Sequence, residues 1–208
     1  MKRGMLAFWG AMMLLVAAIW AWRIADRESA LAPRGAADTV VVLGGDDEQE
    51  APLVVAPFTL TAQSGQAFNS AELEGQIWVA SFFFANCPGE CTVLNQRIAR
   101  LQEELADVPV RFVSISVDPE FDTPERLEEY AERIGADVPR WVFLTGTMDD
   151  VSQVALESFK VSVGLRTHTD RLILVDRQGR VRGRFRGTAD ADVEMLKRKV
   201  AEVTTEST

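Results

Sequence analysis

The chain has 208 residues, 47% of them hydrophobic and 25% charged, an ordinary globular balance with enough length for one domain and a sizeable core. Its formal net charge of −9 at pH 7 excludes a general nucleic-acid binder, which needs a basic surface to neutralise phosphates. Part of that acidity is local, because Asp46, Asp47, Glu48 and Glu50 sit together in a stretch that reads as linker.

Met5 to Trp22 is uncharged over 18 residues, preceded by Lys2 and Arg3 and followed by Arg23, Asp26 and Arg27. As a helix it spans about 27 Å, close to the ~30 Å hydrocarbon core of a bilayer. Trp9, Trp20 and Trp22 fall toward its ends, where interfacial aromatics belong. Residues 1–24 therefore read as a single N-terminal transmembrane anchor. A cleaved signal peptide is the competing reading, with Ala30-Leu31-Ala32 as a cleavage site, although its apolar region is usually shorter. Lys2 and Arg3 favour a cytoplasmic N-terminus and an extracytoplasmic C-terminal domain, where cysteine pairs can be oxidised. Residues 25–56, rich in Ala, Gly, Asp and Glu, read as a tether with room for one added strand at Val40–Leu43.

The domain is expected over residues 57–208. Phe58-Thr59-Leu60-Thr61 followed by Gln63-Ser64-Gly65-Gln66 predicts a small hairpin. Gln76–Phe84 is a continuous apolar run, the mark of a strand buried on both faces. The spacing of Leu94, Ile98, Leu101 and Leu105 predicts a helix from Pro88 to about Ala106. Val110–Val117 reads as the next strand. Thr123-Pro124 is an N-cap and a first-turn proline, opening a helix over Glu125–Ile134 that Gly135 ends. Trp141–Leu144 is a third strand and Met148–Phe159 a third helix. Leu172–Asp176 and Val181–Phe185 flank the turn Arg177-Gln178-Gly179-Arg180, and Asp190–Val200 closes the chain as a helix. Strands interleaved with helices, then a hairpin, predict an α/β domain with a central mixed sheet flanked by helices. A cysteine pair after the first central strand suits a thioredoxin-like fold with inserted elements. A flavodoxin-like sheet explains the late hairpin less well.

The two cysteines are the whole complement of the chain, as Cys87-Pro88-Gly89-Glu90-Cys91, and His168 is its one histidine. Pro88 suits a first helical turn, which places Cys87 at the helix entrance and Cys91 one turn later on the same face. A helix N-terminus favours thiolate, the form that ligates metal or attacks a disulfide. A plain dithiol oxidoreductase usually spaces its cysteines as C-x-x-C. Here three residues intervene, and two thiolates on one face need only a third ligand to surround copper; thiolate suits Cu(I), and imidazole also suits copper. In a thioredoxin-type fold the loop before Leu172–Val175 faces the cysteines, which makes His168 that ligand.

The chain is similar to the SCO/SenC family of copper-handling proteins that act in cytochrome c oxidase assembly. Phe82-Phe83-Phe84-Ala85-Asn86-Cys87-Pro88-Gly89-Glu90-Cys91 resembles the family's aromatic strand and C-P-x-x-C block. Ser116-Val117-Asp118-Pro119-Glu120-Phe121-Asp122-Thr123-Pro124 resembles its S-V-D-P-x-x-D-T-P segment. His168-Thr169 and the hairpin at Asp176-Arg177-Gln178-Gly179-Arg180 resemble its distal histidine block, the likeness running over about Pro57 to Val200. The resemblance implies a membrane-anchored, thioredoxin-like domain on the periplasmic or extracytoplasmic side of the cytoplasmic membrane. It implies a copper ion bound by Cys87, Cys91 and His168, and the copper-binding subunit of cytochrome c oxidase, or a related acceptor, as recipient. The alternative is a thiol–disulfide reductase in which Cys87 attacks and Cys91 resolves. Thr167 stands where the family often has aspartate, and Thr92 where proline is common; Asn86 and Gly89 are also less usual.

Other signals have plainer readings. Asp118 and Asp122 read as caps of a turn and of the helix near Pro124 rather than as lining of the site. Arg180, Arg182, Arg184 and Arg186 share one strand face, as a charge-protected edge strand or a docking stripe for an acidic partner. Trp78 and Trp141 fall inside strands and read as core. There is no glycine-rich phosphate loop, no H-E-x-x-H and no G-x-S-x-G.

Overall fold

The computed structural model describes residues 52–87, 89–167 and 169–206, with the backbone alone at 90 and 91. The expected anchor and almost all of the tether lie outside the described residues. Among the described residues, no helix is long and apolar enough to cross a membrane.

In chain order the elements are β1 (Thr59–Ala62), β2 (Ala67–Asn69), β3 (Ile77–Phe83), α1 (Glu90–Glu104), β4 (Val110–Ser116), α2 (Pro124–Arg133), β5 (Trp141–Thr145), α3 (Met148–Phe159), β6 (Arg171–Val175), β7 (Val181–Arg186) and α4 (Asp190–Thr205). The strands form one mixed sheet in the order β2-β1-β5-β4-β3-β6-β7. β3, β4 and β5 pair in parallel at its centre, and the outer strands join antiparallel. Every residue of β3 is buried, as its unbroken apolar run requires of a strand covered on both faces. A buried polar thread crosses these central strands. Ser81 and Ser114 share a 2.8 Å hydrogen bond, and the Trp141 indole N–H donates to Ser114 Oγ at 2.9 Å. Both tryptophans read as core are fully buried.

The α/β architecture and the element order follow the sequence expectation, with shifted ends. α4 runs on to Thr205 because Val203 continues the stripe of Val193, Leu196 and Val200. Leu53–Val55, assigned to the tether on sequence, pair with the β6–β7 hairpin: Val181 N–H donates to Leu53 O and Val55 N–H to Gly179 O, both at 2.8 Å. The close approach of α1 to the end of β7 needs a bare α-carbon at Gly187, where a Cβ would overlap Leu94 Cδ1.

The arginine stripe is absorbed by the domain itself. Arg180 Nε and Arg182 Nη1 lie 2.8 and 3.1 Å from Asp176 Oδ2, and Arg182 also pairs with Glu206. Arg184 donates to Phe159 O and Arg186 pairs with Asp192. Asp176, 3% exposed, further accepts from the backbone amides of Gln178 and Arg180 at 3.0 Å each. Burial opposes its charge, but the hydrogen bonds from Arg180, Arg182 and Gln178 outweigh that and hold its carboxyl below the usual value. Asp176→Ala strands these donors and is expected to lower stability by about 2 kcal/mol at neutral pH, read as a drop in the urea midpoint. A depressed native pKa stabilises above the unfolded value of 3.8 and is lost as pH falls through the lower native one, so the deficit closes in that window.

Candidate metal centre

The parallel register sets Phe83 of β3 beside Ser116 of β4, and one residue later Val117 N–H donates to Phe83 O at 2.8 Å. The two strands end level, so the loops that follow them emerge at one edge of the sheet.

The loop after β3 carries Cys87. Its N–H donates to Phe84 O at 3.3 Å, closing a turn, and its carbonyl accepts from Thr92 Oγ1 at 3.1 Å. Helix α1 starts only at Glu90, with Gly89 as N-cap and no side chain capping it. This corrects the sequence expectation of a helix opened by Pro88. The amide of Cys87 is committed to the strand-exit turn, so Cys87 stands two residues outside the cap and only Cys91 lies within the first helical turn. The two cysteines are therefore not an i,i+4 pair on one helix face. Cys87 is a free thiol, 7% exposed. Thr92, the departure from proline, supplies the hydroxyl that pins the Cys87 carbonyl.

The loop after β4 corrects the reading of its two aspartates as caps. Thr123 caps α2, its hydroxyl accepting from Arg126 N–H at 3.5 Å. Asp122, fully buried, instead reaches across to the cysteine loop: its Oδ2 accepts from Ala85 N–H at 3.0 Å and from Ser116 Oγ at 2.6 Å. Its Oδ1 is buried without a hydrogen-bond partner. Burial pushes its carboxyl above the usual value, against the Ser116 and Ala85 hydrogen bonds. Asp118, 2% exposed, receives Arg166 Nε on Oδ2 at 2.7 Å.

The third loop, before β6, is a turn in which Thr167 N–H donates to Gly164 O at 3.0 Å and Arg166 is left-handed at φ 53°. Arg166 N–H also donates to Val117 O at 3.0 Å. Thr169, on the far side of His168, is buried, and its Oγ1 accepts from Arg171 N–H at 3.2 Å. His168 itself lies outside the described residues. Of the three expected ligands, the structure thus describes the thiol of Cys87 and the backbone of Cys91. Among the described residues no group of three His, Cys, Asp or Glu side chains is poised to hold a metal. A concavity of about 470 Å³ lies away from this edge, lined by Val55, Asn69, Glu74, Trp78 and Arg177, and Cys87 has no part in it.

Sequence reasoning found the cysteines but missed Arg166 and the roles of Asp118 and Asp122. The duplicated acid in Ser116–Asp122 was the available signal; nothing local marks Arg166 as its partner.

The SCO1/SenC family model matches residues 46–205. This chain belongs to the SCO1/SenC family. A SCO1 protein homolog of Bacillus subtilis is 35% identical over 122 residues, covering 57% of this chain and 63% of that relative. The chain thus matches less than two thirds of that relative's length. The structure of BsSco, a member of the Sco family of cytochrome c oxidase assembly proteins with a disulfide switch, superposes with a TM-score of 0.68 at 30% identity, over 76% of this chain and 98% of that one. ScoI of Bradyrhizobium japonicum, solved with copper bound, superposes at 0.55 with 25% identity, over 72% of this chain and 99% of that one. The thioredoxin-like reading of the fold holds for this SCO1/SenC domain.

The raised carboxyl of Asp122 sets a pH signature. Below the unfolded value of 3.8 the group is protonated in both states; above it the native state resists ionisation, so its contribution to stability falls as pH rises through the higher native value. Asp122→Asn keeps an acceptor for Ala85 without that penalty. Its stability relative to the parent chain is expected to improve between pH 4 and neutrality, and paired urea titrations across that range measure it. A pH-independent difference would contradict the assignment.

Proposed function

We propose that the chain is a membrane-tethered copper metallochaperone that binds one copper ion through Cys87, Cys91 and His168 and passes it to the copper-binding subunit of cytochrome c oxidase. The observation that carries this reading is the free, largely buried thiol of Cys87 beside the first turn bearing Cys91, in a family with a member, ScoI, solved with copper bound. Thiolate sulfur and imidazole nitrogen together suit copper. A site of three donors leaves room for an incoming thiolate or imidazole to displace one ligand, which is how cargo passes to an acceptor. Residues 1–24 hold the domain at the extracytoplasmic face of the membrane. Their uncharged 18-residue core and flanking charges support that reading.

A second reading has its own support in the disulfide switch of BsSco. Cys87 and Cys91 can give up two electrons and two protons to form a disulfide, which leaves no thiolate for copper. When a target's disulfide takes up those two electrons and protons, the same step reduces the target: Cys87 attacks one sulfur, Cys91 resolves the mixed disulfide, and the target leaves as a dithiol.

Copper titration of the reduced full chain in detergent separates the two. The metallochaperone is expected to bind one copper per chain, and His168→Ala is expected to weaken binding about 100-fold or more, the order expected for loss of a direct ligand when outer-shell changes alone cost ~10–100-fold. A dithiol reductase instead keeps its rate on a disulfide peptide after His168→Ala and loses it after Cys87→Ser. Unchanged copper affinity in both His168→Ala and Cys91→Ser would remove the copper reading.

A further inference from the structure

We propose that Arg166 is a positioning residue whose ion pair with Asp118 locks the turn before His168 onto the segment that also holds the cysteine loop. The inference deepens the copper-site reading and rests on it. Four observations converge on the segment Ser116–Asp122. It holds the cysteine loop through Val117 N–H on Phe83 O and through Asp122 Oδ2, which accepts Ala85 N–H. It holds the histidine turn through Val117 O, which accepts Arg166 N–H, and through Asp118 Oδ2, which accepts Arg166 Nε. Ala85 precedes Cys87 by two residues and Arg166 precedes His168 by two, so both loops are tied down immediately before their ligand. The two aspartates four residues apart divide the work, one to each loop.

The backbone of Arg166 argues that its side chain matters. A left-handed conformation is unfavourable for a residue with a Cβ, and glycine would take it without that penalty. An arginine held there needs an offsetting interaction, and the Asp118 carboxylate, 2% exposed and reached at 2.7 Å, provides one. The Arg166 side chain is 59% exposed. The pair therefore joins a buried acceptor to a turn at the surface, as a brace does. Groups that orient a ligand without touching the metal typically change affinity ~10–100-fold when removed.

The test uses the reduced full chain in detergent, with Cu(I) affinity measured by chelator competition and amide hydrogen exchange measured over residues 164–169 without copper. Arg166→Ala, Arg166→Gly and Asp118→Asn are each expected to accelerate exchange in this turn and to weaken copper about tenfold or more. The double variant is expected to be no weaker than either single one, since both remove the same pair. Arg166→Lys is expected to recover part of the affinity. Arg166→Ala leaves the Asp118 carboxyl buried without its cation and is expected to lower the thermal midpoint, so exchange and affinity are read well below that midpoint, where faster exchange confined to residues 164–169 separates positioning from general stability. Wild-type affinity in Arg166→Ala would overturn the proposal. So would wild-type affinity in Arg166→Gly, which would mean that turn conformation alone suffices. If His168→Ala and Cys91→Ser both keep full copper affinity, the copper-site reading fails, and exchange decides the brace: unchanged rates in Arg166→Ala refute it and faster rates uphold it.

Discussion

The level ending of two adjacent parallel strands is the constraint on which the functional edge depends. Val117 N–H bonded to Phe83 O extends the β3–β4 ladder one step past the last paired residues. In an open sheet with parallel strands, the crevice beyond their carboxyl ends is where side chains from different loops can meet. Here that geometry brings residues far apart along the chain to one place. The reach is completed by carboxylates rather than by apolar packing, because exposed loop backbone offers N–H donors and little apolar surface. Asp122 fulfils this at some expense: it is fully buried, its Oδ1 has no hydrogen-bond partner, and its carboxyl resists ionisation.

The elements were legible because each has a local cause. β3 is an unbroken apolar run, α2 announces itself with Thr123-Pro124, and α3 matches its expected bounds at Met148 and Phe159. The hairpin turn shows in Gln178-Gly179, and Gly179 takes the positive φ of 73° that such a turn demands. The wiring of the candidate site was not legible, since its bonds span the chain. Ala85 and Asp122 are 37 residues apart, and Asp118 and Arg166 are 48 apart. No periodicity or cap rule reaches across such intervals. The aspartates looked like caps because their neighbours Thr123 and Pro124 do cap, and a short polar side chain near a helix start carries the same local signature whichever way it turns.

The arginines of β7 show the opposite case, in which a functional-looking pattern has a structural cause. Alternation alone cannot tell a stripe that faces a partner from one that faces its own domain. What differs is the acceptor supply: Asp176, Glu206 and Asp192 stand opposite Arg182 and Arg186, and Phe159 O closes on Arg184. The acidic balance of the chain thus serves its own internal pairing at this edge. Two structural effects combine there, because Leu53–Val55 also pair with the hairpin beside the same strand.

The placement of Cys87 outside α1 changes what the cysteine pair can do. Two residues i,i+4 on a helix hold their Cβ atoms roughly 5–6 Å apart, whereas a disulfide needs about 3.5–4.5 Å. A pair fixed on one helix face would bind a metal ion more readily than it would oxidise. Cys87 is instead carried by a turn closed on Phe84 O, and the link to the helix passes through Gly89, where a Cβ would meet nothing within 4 Å. The separation of the two residues is then set by that link rather than by helical pitch. A cysteine on a loop paired with one on a helix is not bound to the i,i+4 spacing that disfavours a disulfide. The same three intervening residues that separate this pair from C-x-x-C oxidoreductases therefore do not bar it from their chemistry. Under the proposed copper reading, what selects between the two states is whether His168 is held as third donor, and the tie of its preceding turn to Asp118 through Arg166 is what would hold it.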